Sequence, residues 1–213
     1  MGAVAPLSPA QRRALARLSG SGILDQLYLA GGVAVAFHLG HRRSNDLDFF
    51  SSTPELDLDV LRRRAIADLG ATVVAQSDAT LKVRVSGAVL DFVVYPYRPL
   101  ARPAAGPDGV RIASLRDLAV MKLAAIARRG LRRDFWDLHE ILTRTRSPLR
   151  NALRDYQKKF GTAEADLYHV VRALTWFEDA DGDTAFPRGL TRAHWTEVKR
   201  WFEAEAAKTL RAL

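Results

Sequence analysis

Apolar and polar positions along this chain follow two different rhythms. In the first half, short β-rich runs at residues 27–30, 45–50, 71–75, 81–85 and 89–95 read as strands. Helical stretches are interleaved with them. Ser8-Pro9-Ala10-Gln11 forms a capping box with proline at the first helical position, predicting a helix that stops near Gly20. Residues 33–39 continue helically to Gly40, and Thr53-Pro54 opens a helix that ends before Gly70. Ser86-Gly87 between two of the β-runs predicts an antiparallel hairpin. From Ser114 onward only the helical period remains, over 115–129, 132–143, 149–160, 165–177 and 195–210. Proline and glycine accumulate in RPLARPAAGPDG, residues 98–109. The expectation is an α/β (α+β) N-terminal lobe with a mixed sheet, residues 1–105, followed by an all-helical lobe, residues 106–213.

Composition narrows the picture without naming a function. Of 213 residues, 48% are hydrophobic and 26% charged, the balance of a folded globular protein. No apolar run approaches the roughly 20 residues that span a bilayer, and MGAVAPLSPA lacks a basic segment followed by an apolar signal core, so a cytoplasmic protein without membrane partners is expected. The absence of cysteine excludes disulfides and thiolate metal sites. A net charge of +8, carried mostly by arginine, suits a phosphate-bearing partner, although a solvated basic surface fits equally well. The five histidines show no metal-ligand spacing. Asp179-Ala180-Asp181-Gly182-Asp183 has the look of a calcium loop, but its glycine comes too early and Leu190 stands where the closing Glu belongs, so a turn is expected.

Candidate chemistry concentrates in LAGGVAVAFHLGHRRSNDLDFFS, residues 29–51. Residues two apart in a strand face the same way, so Asp46 and Asp48 project together. Asp91 lies in a second apolar β-run, VLDFVVY. Three acids at one end of a sheet repel unless a cation neutralises them, and carboxylates suit a hard ion such as Mg²⁺ or Mn²⁺. Gly31 and Gly32 would let backbone N–H groups approach a phosphate at the start of a helix. In the helical half, Lys122 falls on the apolar stripe of residues 115–129, either snorkelling to water or reaching for a phosphate. Asp134 lies at the edge of the next stripe, where it can face Lys122, and Asp137 points further out. As first-turn acids both also complement a helix dipole. Arg128, Arg129, Arg132 and Arg133 surround one glycine and are candidate grips for RNA or a triphosphate.

These blocks resemble the AbiEii/AbiGii toxin-like nucleotidyltransferases of the DNA polymerase β-type superfamily. The resemblance is carried by Gly31-Gly32, His41-Arg42-Arg43-Ser44, Asp46-Leu47-Asp48-Phe49-Phe50-Ser51, Met121-Lys122-Leu123 and Arg132-Arg133-Asp134-Phe135-Trp136-Asp137-Leu138. It implies a nucleotidyltransferase-like lobe whose active-site cleft is completed by the helical lobe. It further implies metal held by Asp46, Asp48 and Asp91, catalysis by these three with Lys122 and Asp134, and an NTP donor bound by Gly31, Gly32, Arg43, Ser44 and Lys122. The implied activity is NMP transfer to an acceptor such as tRNA, as the toxin of a toxin–antitoxin or phage-defence pair, with an antitoxin as protein partner. Alternatives of the same fold are a non-catalytic binding protein and an enzyme modifying a small molecule or a protein hydroxyl. The chain departs from the family at Val33, where Ser or Thr is usual. That removes a side-chain donor to the phosphates, leaves the backbone donors, and makes Ser44 the candidate replacement.

Overall fold

The computed structural model describes residues 7–51, 53, 55–184 and 186–211. The first six residues and Pro54, used in the sequence reading, lie outside this set. The chain divides into two compact units, Met1–Ser114 and Leu115–Leu213. The boundary falls beyond the expected residue 105 because Ala104–Ala105 (β6) pairs with Arg111–Ile112 (β7), and β7 adds to the sheet beside the first strand.

The first unit is built on a seven-stranded mixed sheet ordered β3-β4-β5-β2-β1-β7-β6. Its strands β1 (Leu27–Ala30), β2 (Leu47–Ser51), β3 (Thr72–Gln76), β4 (Thr80–Val85) and β5 (Ala88–Val93) match the predicted β-runs to within two residues at each end. The β4–β5 hairpin closes through Ser86 and Gly87, at φ 50° and 86°. Two successive positive φ values are what a tight primed turn requires. Burial alternates along β2, β4 and β5. Leu47, Phe49, Leu81, Val83, Leu90 and Phe92 form the core face, with Phe49 and Phe92 stacked at 5.6 Å. Each such fully buried side chain contributes about 1.5–3 kcal/mol. Helices α1 (Pro9–Leu18), α2 (Gly31–Leu39) and α3 (Leu58–Leu69) pack against these strands. Helix α3 starts later than Thr53-Pro54 predicts, because the Asp57 carboxylate accepts hydrogen bonds from the Asp59 and Val60 amides at 2.8 and 2.9 Å and fixes the N-terminus there.

The second unit contains α4 (Leu115–Arg129), α5 (Arg132–Arg144), α6 (Leu149–Phe160), α7 (Glu164–Ala173), α8 (Glu178–Gly182) and α9 (Arg192–Leu210). Helix α5 is buried on most of its circumference. Phe135 packs against Phe177, Trp195 and Phe202, with ring centroids 5.2, 5.9 and 5.3 Å away. The acidic run expected to be a turn is the short helix α8. Its Asp181 carboxylate accepts from Trp195 Nε1 at 2.7 Å and Lys199 Nζ at 2.9 Å, so protein donors satisfy it.

Candidate active site

Alternation along the strands puts Asp48, Asp91 and Lys82 on the face opposite Leu47, Phe49 and Phe92. Register then aligns them: Ala30 pairs with Asp48, Asp48 with Asp91, and Asp91 with Lys82 across β1, β2, β5 and β4. One rung of the sheet therefore carries two carboxylates and a lysine. Asp46 lies two residues ahead of Asp48, just before β2 begins, and its charge is felt at Lys82.

The glycines explain the shape around this rung. Gly31 opens α2 at φ +63°, and a methyl group built there would come within 1.9 Å of Asp48 Oδ2. Only glycine accepts both that backbone conformation and that approach. A methyl on Gly32 would meet Arg42 Nη2 and Ser44 Oγ, each at 2.6 Å. The N-cap residue of α2, Ala30, has no side chain to satisfy the helix's first amides. A turn of backbone N–H groups is thus flanked by Ser44 Oγ, the buried Arg42 and the Asp48 carboxylate. Helix α1 holds the turn in place: the buried Gln11 donates from Nε2 to the Ser44 and Asn45 carbonyls at 2.9 Å each, while its Oε1 accepts from Ser8 N in the predicted capping box.

Lys82 donates to Asp91 Oδ2 at 2.7 Å. This hydrogen bond with Asp91, opposed by partial burial and reinforced by the charges of Asp91, Asp46 and Asp48, raises the Lys82 pKa above its ordinary value. Asp91 Oδ1 is buried without a hydrogen-bond partner. An orphaned carboxylate oxygen on the rung beside Asp48 fits a divalent cation.

The chain has relatives along most of its length. A family model described as nucleotidyl transferase AbiEii toxin, type IV toxin–antitoxin system, matches residues 13–208. The chain belongs to the AbiEii nucleotidyltransferase toxin family. An uncharacterized protein of Aquifex aeolicus is 32% identical over 207 residues, covering 96% of this chain and 98% of that protein. Among solved structures, MenT4, a nucleotidyltransferase toxin from Mycobacterium tuberculosis H37Rv, is 20% identical with a TM-score of 0.55 over 96% of this chain and 87% of its own. The antibiotic-resistance factor ANT(2'')-Ia is 14% identical with a TM-score of 0.55 over 76% of this chain and 97% of that one. Both share the fold. This AbiEii-family chain is a transferase enzyme of the nucleotidyltransferase class.

Of the residues singled out in this AbiEii-family sequence, Gly31, Gly32, Ser44, Asp48 and Asp91 lie around one rung of the sheet unit, and Asp46 stands two residues ahead of it. Arg43 is exposed, whereas its neighbour Arg42 is buried against Gly32 and donates to the Arg43 carbonyl at 2.9 Å. Val33 is fully buried, so the position that usually carries a hydroxyl supplies core packing here. Sequence reasoning missed Lys82, and it named Gln11 only as a capping residue and Arg42 only within the resemblance, not as parts of the site. Lys82 was findable, because it is the third residue of an alternating run paired through the hairpin with Asp91.

Lys122 and Asp134 lie in the helical unit, and their geometry corrects two expectations. The Lys122 ammonium is 2.8 Å from Asp134 Oδ1 and 2.7 Å from Asp137 Oδ2, with both carboxylates fully buried. Asp137 therefore turns inward rather than out, and Lys122 does not snorkel. Arg129 Nε is a second cation on Asp134, at 3.1 Å. Burial pushes the Asp134 carboxyl upward, but Lys122 and Arg129 outweigh it and hold the pKa below the usual carboxylate value. A further buried pair, Lys159 with Asp117 at 2.9 Å, ties α6 to α4. Arg132 is buried rather than offered to RNA: it donates to the Asp183 carbonyl at 2.9 Å and lies 4.2 Å from the Phe186 ring centroid.

Proposed function

We propose that this protein transfers NMP from an NTP to a hydroxyl acceptor on RNA, with a divalent cation bound by Asp46, Asp48 and Asp91, as the toxin of a toxin–antitoxin pair in the cytoplasm. The observation that carries the reading is the sheet rung in which Asp48 and Asp91 stand side by side, with an unsatisfied Asp91 oxygen, next to the uncapped glycine turn of α2. The cation supplies charge neutralisation at the triphosphate and lowers the pKa of the attacking hydroxyl.

The chain's own residues do the rest. Backbone N–H groups of the first turn of α2, with Ser44 Oγ and the Arg42 guanidinium, bind the triphosphate and orient it for in-line attack. The acceptor oxygen bonds to the α-phosphorus as the bond to the bridging oxygen breaks, and pyrophosphate departs. The Asp91 carboxylate helps to take up the proton of the acceptor hydroxyl. Lys82, hydrogen-bonded to Asp91 Oδ2, balances the charge of that carboxylate before the cation binds. Lys122 and Asp134 are assigned a positioning role as the ion-paired core of the helical unit. RNA is favoured as acceptor by the charge of +8 and by the exposed Arg128 and Arg133, and the family's type IV toxin–antitoxin description supports a protein antitoxin as partner.

The test is incubation of the protein with each labelled NTP, Mg²⁺ and total RNA. Label should enter RNA, and Asp48→Asn should reduce transfer by about 10³-fold or more, with the melting temperature retained. Transfer by the Asn variant at the wild-type rate, or label on protein instead of RNA, would refute the assignment.

A further inference from the structure

Away from the sheet, the helical unit brings together three metal-ligating side chains that the sequence keeps apart. His139 and Glu140 are consecutive on α5, and His194 sits in the first turn of α9. Their donor atoms, His139 Nδ1, Glu140 Oε1 and His194 Nε2, all lie within 4.8 Å of one another. Each imidazole nitrogen is 3.7 Å from the same carboxylate oxygen. That separation is too long for a hydrogen bond. It is close to the roughly 3.4 Å edge of a tetrahedral site with 2.0–2.2 Å metal–ligand bonds.

We infer that His139, Glu140 and His194 form a binding site for a divalent ion of the Zn²⁺ class, which clips α9 to α5 in the helical unit. Two imidazoles and one carboxylate are a donor set that suits Zn²⁺ and disfavours Mg²⁺, which prefers oxygen donors throughout. A second observation points the same way. His139 Nδ1 is buried without a hydrogen-bond partner, an arrangement that costs free energy unless something ligates the nitrogen.

The surroundings hold the donors in place. Arg144 Nε donates to Glu140 Oε2 at 2.8 Å, and Trp136 Nε1 donates to Oε1 at 3.3 Å, which holds that oxygen toward the histidines with a lone pair to spare. Hydrogen bonds of this outer kind orient a metal-ligating carboxylate. The His139 ring packs edge-on against Trp201 at 5.2 Å, and His194 against Trp136 at 5.9 Å. Three protein ligands leave one coordination position for water. Closing the site shortens the two 3.7 Å separations toward that tetrahedral edge, a small side-chain motion for which His194 is placed at the first turn of α9.

The test is a titration of the full-length protein with Zn²⁺ by calorimetry in millimolar Mg²⁺, which occupies oxygen-only sites. Co²⁺ absorption reports the coordination geometry. We expect one Zn²⁺ per chain, a tetrahedral Co²⁺ spectrum and a saturable rise in melting temperature. His194→Gln and His139→Gln should each weaken binding by more than the roughly 10–100-fold lost when an outer-shell partner is removed. His194 is partly exposed, so its variant tests binding without a folding defect. Asp48→Asn should leave Zn²⁺ binding unchanged, which separates this site from the proposed catalytic one. The inference fails if wild type shows no Zn²⁺ response, if both histidine variants bind as wild type does, or if Asp48→Asn abolishes the event.

Discussion

The two units solve the same electrostatic problem in opposite ways. Each gathers aspartates around a lysine: Asp46, Asp48 and Asp91 with Lys82 in the sheet unit, Asp134 and Asp137 with Lys122 in the helical unit. In the helical unit cations match anions, since Arg129 joins Lys122 and both carboxylates are fully buried. In the sheet unit the lysine on Asp91 is itself about a third exposed, and the other oxygen of that carboxylate has no hydrogen-bond partner. A closed cluster of paired charges is costly to break. An open one with an unsatisfied acceptor leaves room for a cation.

That contrast is tested most sharply at Lys122. Removing one member of a buried, paired cluster leaves a carboxylate uncompensated and costs about 3–5 kcal/mol. Lys122→Met should therefore lower the unfolding free energy by this amount, measured by denaturant titration. The second substitution of Lys122→Met/Asp137→Leu should recover part of the loss. The acid limb should respond too. With its folded-state pKa below the unfolded value, Asp134 contributes stability that is present above about pH 4 and lost as pH falls through the folded value. Without Lys122 that limb should move to higher pH. If Lys122→Met keeps wild-type stability while losing nucleotidyl transfer, the lysine acts on the phosphates and the comparison collapses.

A smaller effect distinguishes structural from nucleic-acid-binding arginines within the helical unit. Arg132 is buried on carbonyls at the end of α8 and over Phe186, while Arg133 next to it is exposed. Arg132→Gln should cost about 1.5–3 kcal/mol, the worth of hydrogen bonds made by a charged group, and leave the salt dependence of RNA affinity unchanged. Arg133→Gln should flatten that salt dependence and leave the melting temperature alone. Affinity measured at several salt concentrations decides between them, and an inverted pattern would return Arg132 to the RNA surface.

Local rules made much of this legible in the sequence. The Ser8–Gln11 capping box, the Ser86-Gly87 hairpin and the bounds of α4 and α6 each depend on residues a few positions apart, and each formed as expected. Asp48 and Asp91 were read as neighbours because strand alternation and apolar context put both on one face of one sheet. What stayed hidden was set by tertiary contacts. Asp137 was read as outward because a helical wheel does not show that α5 is enclosed nearly all round. Arg132 looked like part of a basic grip because its carbonyl partners come from α8, fifty residues later. The histidines showed no spacing because two ligating positions are consecutive and the third arrives on α9. The short strands β6 and β7, two residues each, have no periodicity to read, which is why the unit boundary moved to Ser114.

The smallest expected effect belongs to Lys82, and it bears on whether the sheet cluster is poised for a cation. Lys82 and an incoming metal ion compete for the same carboxylate, since its ammonium sits 2.7 Å from Asp91 Oδ2. The Lys82 pKa is raised, so the pairing contributes stability that is complete below the unfolded lysine pKa and is lost only as pH rises through the higher folded value. The lysine is therefore charged throughout the neutral range. A partly exposed pair is worth about 0–1 kcal/mol, so Lys82→Met should change the melting temperature little. Deleting the competing charge while keeping most of the stem raises the repulsion among Asp46, Asp48 and Asp91, and that repulsion is relieved by a cation. Mn²⁺ affinity, followed by its electron paramagnetic resonance signal at neutral pH, should therefore tighten several-fold in Lys82→Met. It should fall steeply in Asp91→Asn. Weaker Mn²⁺ binding in Lys82→Met would mean that the lysine organises the carboxylates for the ion instead of standing in for it, and the contrast between an open sheet cluster and a closed helical one would no longer explain where the metal goes.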